Sequence, residues 1–92
     1  MMGLLHLTLT DKWFDKIASG RKRYEFREVK PYNDNLIGKK ADKLKEVRFV
    51  AGYRPRDIAR VMYYEILSIS IRAYKGKKYY VIELGKQLHK NF

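Results

Sequence analysis

The feature that most limits the fold of this chain is a long run of strand-forming residues that ends in a tight turn. Residues 58–74 are rich in isoleucine and tyrosine, the turn signal Lys75-Gly76-Lys77 follows, and residues 78–84 form a second apolar run. β-branched and aromatic residues favour strands, and short glycine-containing turns join antiparallel strands. We therefore predict one bent strand or two over residues 58–74, paired with a final strand over residues 78–84. The tail, residues 87–92, has no clear structural signal.

The N-terminal residues alternate as a half-buried strand does. Leu5, Leu7 and Leu9 point to one side, and His6 and Thr8 point to the other. This pattern predicts a strand over residues 4–9.

A short helix follows this strand. Thr10 is a typical N-cap and Gly20 a typical C-terminal stop, so we predict a helix over residues 11–19. We interpret Trp13 as part of its buried face, which the helical spacing assigns to Trp13, Phe14, Ile17 and Ala18.

Two further strands are predicted over residues 22–29 and 46–51. The polar segment 32–45 between them is typical of a loop, with one helical turn near residues 41–44. A turn over residues 52–56 separates the third strand from the long apolar run. The fold class is therefore α+β, a small β-barrel of about five strands with one main flanking helix.

Size and composition set further limits. Ninety-two residues suffice for one domain, residues 1–92. The chain has no cysteine, and His6 and His89 are isolated, so we expect no disulfide, no metal site and no cofactor. The N-terminus is not typical of a signal peptide, and no stretch has the roughly 20 apolar residues that span a bilayer. We expect a cytoplasmic protein without a membrane partner, and the sequence leaves the oligomeric state open.

The charge of the chain indicates a class of partner. Lys and Arg number 21, Asp and Glu number 10, and the net charge is +11. Such an excess attracts polyanions, of which nucleic acid is the most abundant in cells. Basic residues are dense in segments 38–60 and 72–92, and tyrosines among cations can stack on unpaired bases. A well-solvated lysine-rich surface is the alternative.

The segment 20–27 is the first candidate site. By strand period, Tyr24 and Phe26 share one face, while Arg23, Glu25 and Arg27 share the other. Arginine forks bind phosphate, and a carboxylate can accept from a base amino group or activate water. We predict that this charged row points outward, and that Lys22 reaches the same cleft. The alternative is a solvated strand face with mutual salt bridges.

Glu65 is the second candidate. In a regular strand it shares a face with Val61, Tyr63, Leu67, Ile69 and Ile71. A carboxylate in an apolar row is costly unless it is paired or protonated, and such acids cluster at functional sites. A bulge that turns Glu65 outward, or a structural pair with an arginine, explains the pattern equally well.

The segment 20–27 resembles the signature of ASCH domains. The pattern G-x-K-x-x-E-x-R is met at Gly20, Lys22, Glu25 and Arg27, within a segment 13–27 that is similar throughout. Strand, helix and signature occur in the family's order, followed by Pro31-Tyr32. Residues 47–53 resemble the strand ending in Gly-Tyr of small ASCH proteins, many from phages and their hosts, and residues 65–69 resemble the next strand.

The resemblance implies a PUA-like fold and a cleft that binds RNA or handles nucleotides. One branch of the family hydrolyses acetylated cytidine with the signature lysine, a threonine and a distant glutamate. This chain has Glu25 where that branch has the threonine, so a covalent ester at that position is excluded. Relatives often continue with tryptophan and arginine after Pro31-Tyr32, where this chain has Asn33, Asp34 and Asn35.

Three functions follow as hypotheses. The first is an RNA- or nucleotide-binding module, in which Lys22 and Arg27 bind phosphate or base oxygens. Glu25 and Glu65 would line its cleft, and Tyr32 or Tyr53 would stack on a base. The second is a small hydrolase acting on RNA or an acylated nucleoside, with Lys22 as general base or charge stabiliser, Glu65 as the acid or base partner and Glu25 activating water. The third is a basic module that binds an acidic protein.

Overall fold

The computed structural model describes residues 3–52 and 60–89 and contains five strands and two short helices in those ranges. The strands are β1 (Gly3–Leu9), β2 (Tyr24–Glu28), β3 (Leu44–Ala51), β4 (Val61–Tyr74) and β5 (Lys77–Leu88). The helices are α1 (Asp11–Ala18) and α2 (Pro31–Leu36), and a short 3-10 turn follows at Gly38–Lys40. The α+β prediction is confirmed.

All five strands belong to one curled sheet in the order β1-β3-β4-β5-β2, which forms a half-barrel. β1 pairs with β3 in parallel, and the other neighbours are antiparallel. β1 and β2 are therefore the two edge strands. The prediction of about five barrel-like strands is confirmed, while the PUA-like assignment stays a prediction.

The core lies against the inner face of the sheet, the face that carries Val47, Tyr64 and Ile82. Leu5, Leu7 and Leu9 are buried there, as their alternation predicted. Phe49 meets Tyr64 edge to face, with ring centroids 6.2 Å apart. The other side of the sheet is called the outer face below.

Helix α1 begins and ends where its capping residues indicate. Thr10 accepts a hydrogen bond from the Trp13 amide at 3.5 Å, and Asp11 follows in the first turn. Phe14 and Ile17 are buried against the sheet. The helix ends at Ala18 with Ser19 as its cap, one residue before the predicted end.

The long apolar run forms one strand, β4, with register shifts between Tyr64 and Ile66 and between Ile66 and Ser68. Of the two predicted alternatives, the single bent strand is confirmed from Val61 onward, and residues 53–59 lie outside the described ranges. β5 continues past the predicted residue 84, because Gln87 and Leu88 still pair with β4.

The prediction of a loop over residues 32–45 is wrong in its first part. Helix α2 begins at Pro31, a residue that suits a first helical position because it has no amide hydrogen to leave unpaired. Asn33 donates from its side chain to the Glu28 carbonyl at 2.7 Å, and Asp34 accepts from the Tyr80 hydroxyl. The helical turn predicted near residues 41–44 lies earlier, at Gly38–Lys40. Neither α1 nor α2, the helices of the described ranges, has the length and apolar character needed to cross a bilayer.

Candidate functional site

The charged row of β2 lies on the inner face of the sheet, which makes the predicted outward orientation wrong. Glu25 pairs with Ile82 of β5 and is only 5% exposed, while Phe26 on the opposite face is 54% exposed. A buried carboxylate is costly unless charged partners surround it. The orientation of β2 therefore depends on the cations beside Glu25.

Two cations compensate for the burial of the Glu25 carboxylate. Lys22 Nζ donates to Glu25 Oε1 at 2.7 Å, and Arg27 Nε donates to Glu25 Oε2 at 2.8 Å. Both carboxylate oxygens thus accept charge-assisted hydrogen bonds, which are stronger than neutral ones. We call Lys22, Glu25 and Arg27 the seam cluster.

The seam cluster also joins the two edges of the sheet. Arg27 Nη2 donates to the carbonyl oxygen of Thr8 on β1 at 3.0 Å. Because β1 and β2 are at opposite ends of the strand order, this bond spans the gap of the half-barrel. One guanidinium therefore bonds the inner carboxylate and the far edge strand at once, a geometry that a lysine cannot reproduce.

A hollow of about 530 Å³ lies beside the seam cluster. We call it the Trp13 hollow, and it is lined by Trp13, Lys16, Arg21, Lys22, Glu25 and Phe26. Three of these side chains are cations, and the single carboxylate among them is the one already paired with Lys22 and Arg27. The hollow therefore favours a negatively charged occupant.

Trp13 is 41% exposed, so its interpretation as a core residue is wrong. Its ring has three ammonium groups nearby: those of Lys12, Lys16 and Lys22 lie 5.6, 4.6 and 4.9 Å from the ring centroid. Ammonium groups at such distances are attracted by the π-electrons of the indole. The arrangement places positive charge around an aromatic surface that remains open to solvent.

The acidic residues of α1 bind a different cation. Arg60 Nη1 donates to Asp15 Oδ1 at 2.8 Å, and Arg60 Nη2 lies 3.5 Å from Asp11 Oδ1. The hydrogen bond that Arg60 donates to Asp15 is the largest cause of the raised pKa of Arg60. Neither aspartate lines the Trp13 hollow. The two charge types of α1 are thus separated, with the lysines toward the hollow.

The turn after α1 brings Lys22 to the hollow. Gly20 has a positive φ of 80°, a conformation that glycine adopts without a Cβ clash. The amides of Arg21 and Lys22 then both donate to the Lys16 carbonyl, at 3.0 and 3.1 Å. The glycine of the signature therefore has a local structural purpose: it reverses the chain so that Lys22 lies beside α1.

Glu65 does not join the seam cluster. Tyr64 pairs with Val47 on the inner face, so its neighbour Glu65, which pairs with Glu46, lies on the outer face. Its Oε1 accepts from the Lys86 amide at 3.0 Å. The predicted apolar row is also broken, because the register shifts around Ile66 leave Leu67 exposed and return Ile69 to the inner face, where it pairs with Ile82. Glu25 and Glu65 therefore lie on opposite faces of the sheet.

The predicted stacking residues lie elsewhere or outside the described ranges. Tyr32 is on α2, 75% exposed, and is not among the residues that line the Trp13 hollow. Tyr53 lies outside the described residues. The aromatic residues of the hollow are instead Trp13 and Phe26, neither of which was predicted. The sequence signal that could have indicated an exposed Trp13 is Lys16, which lies three residues later on the same side of the helix.

Comparison with known proteins adds no family. This chain matches no model of a protein family and no curated protein. The ASCH resemblance thus stays a prediction that rests on the signature residues themselves.

Proposed function

We propose that this protein binds RNA or a nucleotide in the Trp13 hollow. The observation that carries the proposal is the cluster of three lysine ammonium groups around a tryptophan ring that is open to solvent. A base can stack on an exposed aromatic ring, and lysines beside it can pair with phosphate. The net charge of +11 supports the same class of ligand.

Each lining residue has a part in this proposal. A base that stacks on Trp13 takes the place of the ammonium groups over the ring, which then pair with phosphate. Lys22 is the cation whose position is fixed, because Glu25 holds it at 2.7 Å. Arg21 adds a further cation to the lining of the hollow.

Glu25 has a different part from the one predicted. It is almost fully buried, and each of its oxygens already accepts from a cation. A base amino group would have to compete with Lys22 and Arg27 to reach it. We therefore propose that Glu25 orients Lys22 in the hollow and does not itself contact the ligand.

The hydrolase alternative has less support. It needs Lys22 and Glu65 to act on one substrate, and these residues line different faces of the sheet. No observation favours the acidic-protein alternative over RNA, and competition by RNA would distinguish the two. The assignment to a PUA-like ASCH domain agrees with a curled five-stranded sheet and remains part of the proposal.

The single tryptophan allows a direct test. Titration with single-stranded oligonucleotides should quench Trp13 fluorescence as bases stack on the indole, with an affinity that falls steeply between about 50 and 200 mM salt. Fluorescence anisotropy of a labelled oligonucleotide would follow binding in the variants. Trp13→Ala should weaken binding about tenfold or more, since one stacked base contributes roughly 1–3 kcal/mol.

Charge-matched variants supply the control. Lys16→Ala removes a cation from the hollow, and Lys40→Ala removes an exposed cation from the 3-10 turn. We expect Lys16→Ala to weaken binding several-fold more than Lys40→Ala. Equal losses, or binding without any change in tryptophan fluorescence, would exclude the hollow as the site.

A further inference from the structure

The outer face of β2, β5 and β4 carries aromatic residues that the core does not use. Their register places them in rows across the three strands. One row is Phe26, Val81 and Ser70, and the next is Glu28, Tyr79 and Arg72. Tyr24 lies beyond the first row and Tyr74 beyond the second. Tyr24, Phe26 and Tyr74 are 45%, 54% and 62% exposed.

Phe26 connects this surface to the Trp13 hollow. It lines the hollow, and it also lines two outer-face cavities of about 670 and 340 Å³. The larger cavity includes Tyr74 and Tyr79, and the smaller includes Tyr24. Arg72 lines both. The hollow and the outer face are therefore parts of one continuous surface that meets at Phe26.

The charges of the outer face suit a polyanion. Arg72 lies between the aromatic residues, and Lys75 Nζ lies 5.3 Å from the Tyr74 ring centroid. An ammonium group over an exposed ring thus occurs at both ends of the surface, at Trp13 and at Tyr74. The carboxylates are engaged: Glu28 lies 3.4 Å from Lys30 Nζ and 3.9 Å from Lys77 Nζ, and Glu83 accepts from Ser68 at 3.0 Å.

The size of the surface exceeds one nucleotide. Tyr74 lies two rows and two strands from Phe26, which corresponds to about 16 Å at the usual spacings of residues and strands. A stacked single strand rises about 3.4 Å per nucleotide, so this distance corresponds to about five stacked nucleotides, and fewer if the strand is extended.

We infer that the ligand is a single-stranded RNA of several nucleotides, which enters the Trp13 hollow and continues over Phe26 along the outer face toward Tyr74 and Lys75. The inference rests on the function proposed above, because it extends the same site. Phe26, Tyr79 and Tyr74 stack on successive bases, and Arg72 and Lys75 pair with the backbone. Rings separated by serine and arginine fit such a strand better than they fit an apolar protein surface.

The experiment is a length series on the intact protein. Binding of oligouridylates of two, four and eight nucleotides is measured by Trp13 quenching for the wild type, Tyr74→Ala and Arg72→Gln. The matched controls are Tyr32→Ala, which removes an exposed tyrosine from α2, and Lys40→Ala, which removes an exposed cation that lines neither the hollow nor the two outer-face cavities. We expect the octamer to bind at least about tenfold tighter than the dimer, since each stacked base adds roughly 1–3 kcal/mol.

The variants separate the outcomes. The inference predicts that Tyr74→Ala and Arg72→Gln weaken octamer binding by about fivefold or more and leave dimer binding unchanged, while both controls bind as the wild type does. If dimer and octamer bind equally, or if Tyr32→Ala is as damaging as Tyr74→Ala, the outer face is not the path although the hollow still binds. If no oligonucleotide quenches Trp13, the proposed function itself fails. If sedimentation showed that the protein itself dimerises and that Tyr74→Ala abolishes this protein dimer, the outer face would be assigned to self-association and the inference overturned.

Discussion

Replacing Glu25 with glutamine tests whether the seam cluster stabilises the half-barrel. The two side chains have almost the same shape, so the change removes the charge and leaves the packing. The amide has one acceptor oxygen in place of two, and its NH₂ group directs a donor at a cation. At least one of the two hydrogen bonds to Glu25, of 2.7 and 2.8 Å, is therefore lost.

The magnitude follows from the burial of the partners. Removing one partner of a fully buried ion pair costs roughly 3–5 kcal/mol, and a surface pair contributes roughly 0–1 kcal/mol. The side chains of Lys22 and Arg27 are 21% and 24% exposed to solvent, so water solvates part of the charge that is left unpaired. We expect the free energy of unfolding to fall by about 2–3 kcal/mol, which for a domain of this size lowers Tm by roughly 8–20 °C.

Urea unfolding followed by far-ultraviolet circular dichroism measures this loss. Glu28→Gln is the control, because Glu28 is on the same strand but is more exposed and bound to lysines at 3.4 and 3.9 Å. The free energy of unfolding of Glu28→Gln should fall by less than about 1 kcal/mol. Equal unfolding of the two variants would refute the structural role of the cluster.

Three other changes test separate parts of the fold. Arg27→Lys keeps the charge but cannot bond Glu25 and the Thr8 carbonyl through separate nitrogens, so it should lose about 1–2 kcal/mol in urea unfolding; unchanged stability would mean that this bond does not hold the edges together. In Gly38→Ala, the new Cβ would overlap the Tyr80 hydroxyl. We expect a loss of about 1–3 kcal/mol in thermal unfolding, and a neutral result would show that the helical segment shifts freely. The hydrogen bond to Asp34, and then burial, raise the pKa of Tyr80 above its usual value of 10.0. Because the unfolded chain ionises first, this contribution to stability is complete below about pH 10 and is lost as the pH rises through the folded pKa. Burial also raises the pKa of Tyr64, so tyrosinate absorbance should show more than one late-titrating group. Tyr80→Phe should remove one of them, and an unchanged late titration would contradict the assignment.

Local signals predicted much of the fold. Strand β1 was visible in the alternation of its leucines, and α1 was bounded by Thr10 and by the glycine after its last turn. The hairpin of β4 and β5 was visible in the turn at Lys75-Gly76. Each of these elements is specified by residues close together in the chain, and the sequence is sufficient to find them.

The orientation of β2 was not predictable in the same way. Its period showed that aromatic and charged residues alternate, and burial of the aromatic side is the usual expectation. The orientation of β2 is decided instead by the contacts of Glu25 and Arg27. Arg27 bonds the Thr8 carbonyl, 19 residues away in the chain. The site follows from this orientation, because it turns Phe26 outward and the charged row inward.

Helix α2 and Glu65 were missed for related reasons. The polar residues of α2 are typical of a loop, and they form a helix whose Asn33 and Asp34 bond to Glu28 and Tyr80. On β4, apolar residues occur on both faces, so alternation could not show which face carries Glu65. In both places, tertiary contacts decided between readings that the local sequence allowed equally.

The closure of the half-barrel by Arg27 has a consequence for how the molecule comes apart. Four of the strand boundaries are ladders of backbone hydrogen bonds, and within residues 3–52 and 60–89 the gap between β1 and β2 is bridged by the Arg27 side chain. Release of the Arg27 guanidinium from Thr8 would therefore separate β1 from β2 without breaking any of the four strand ladders. Because Arg27 binds the same Glu25 that holds Lys22 at the Trp13 hollow, an anion strong enough to draw Arg27 away from Thr8 would also open the half-barrel.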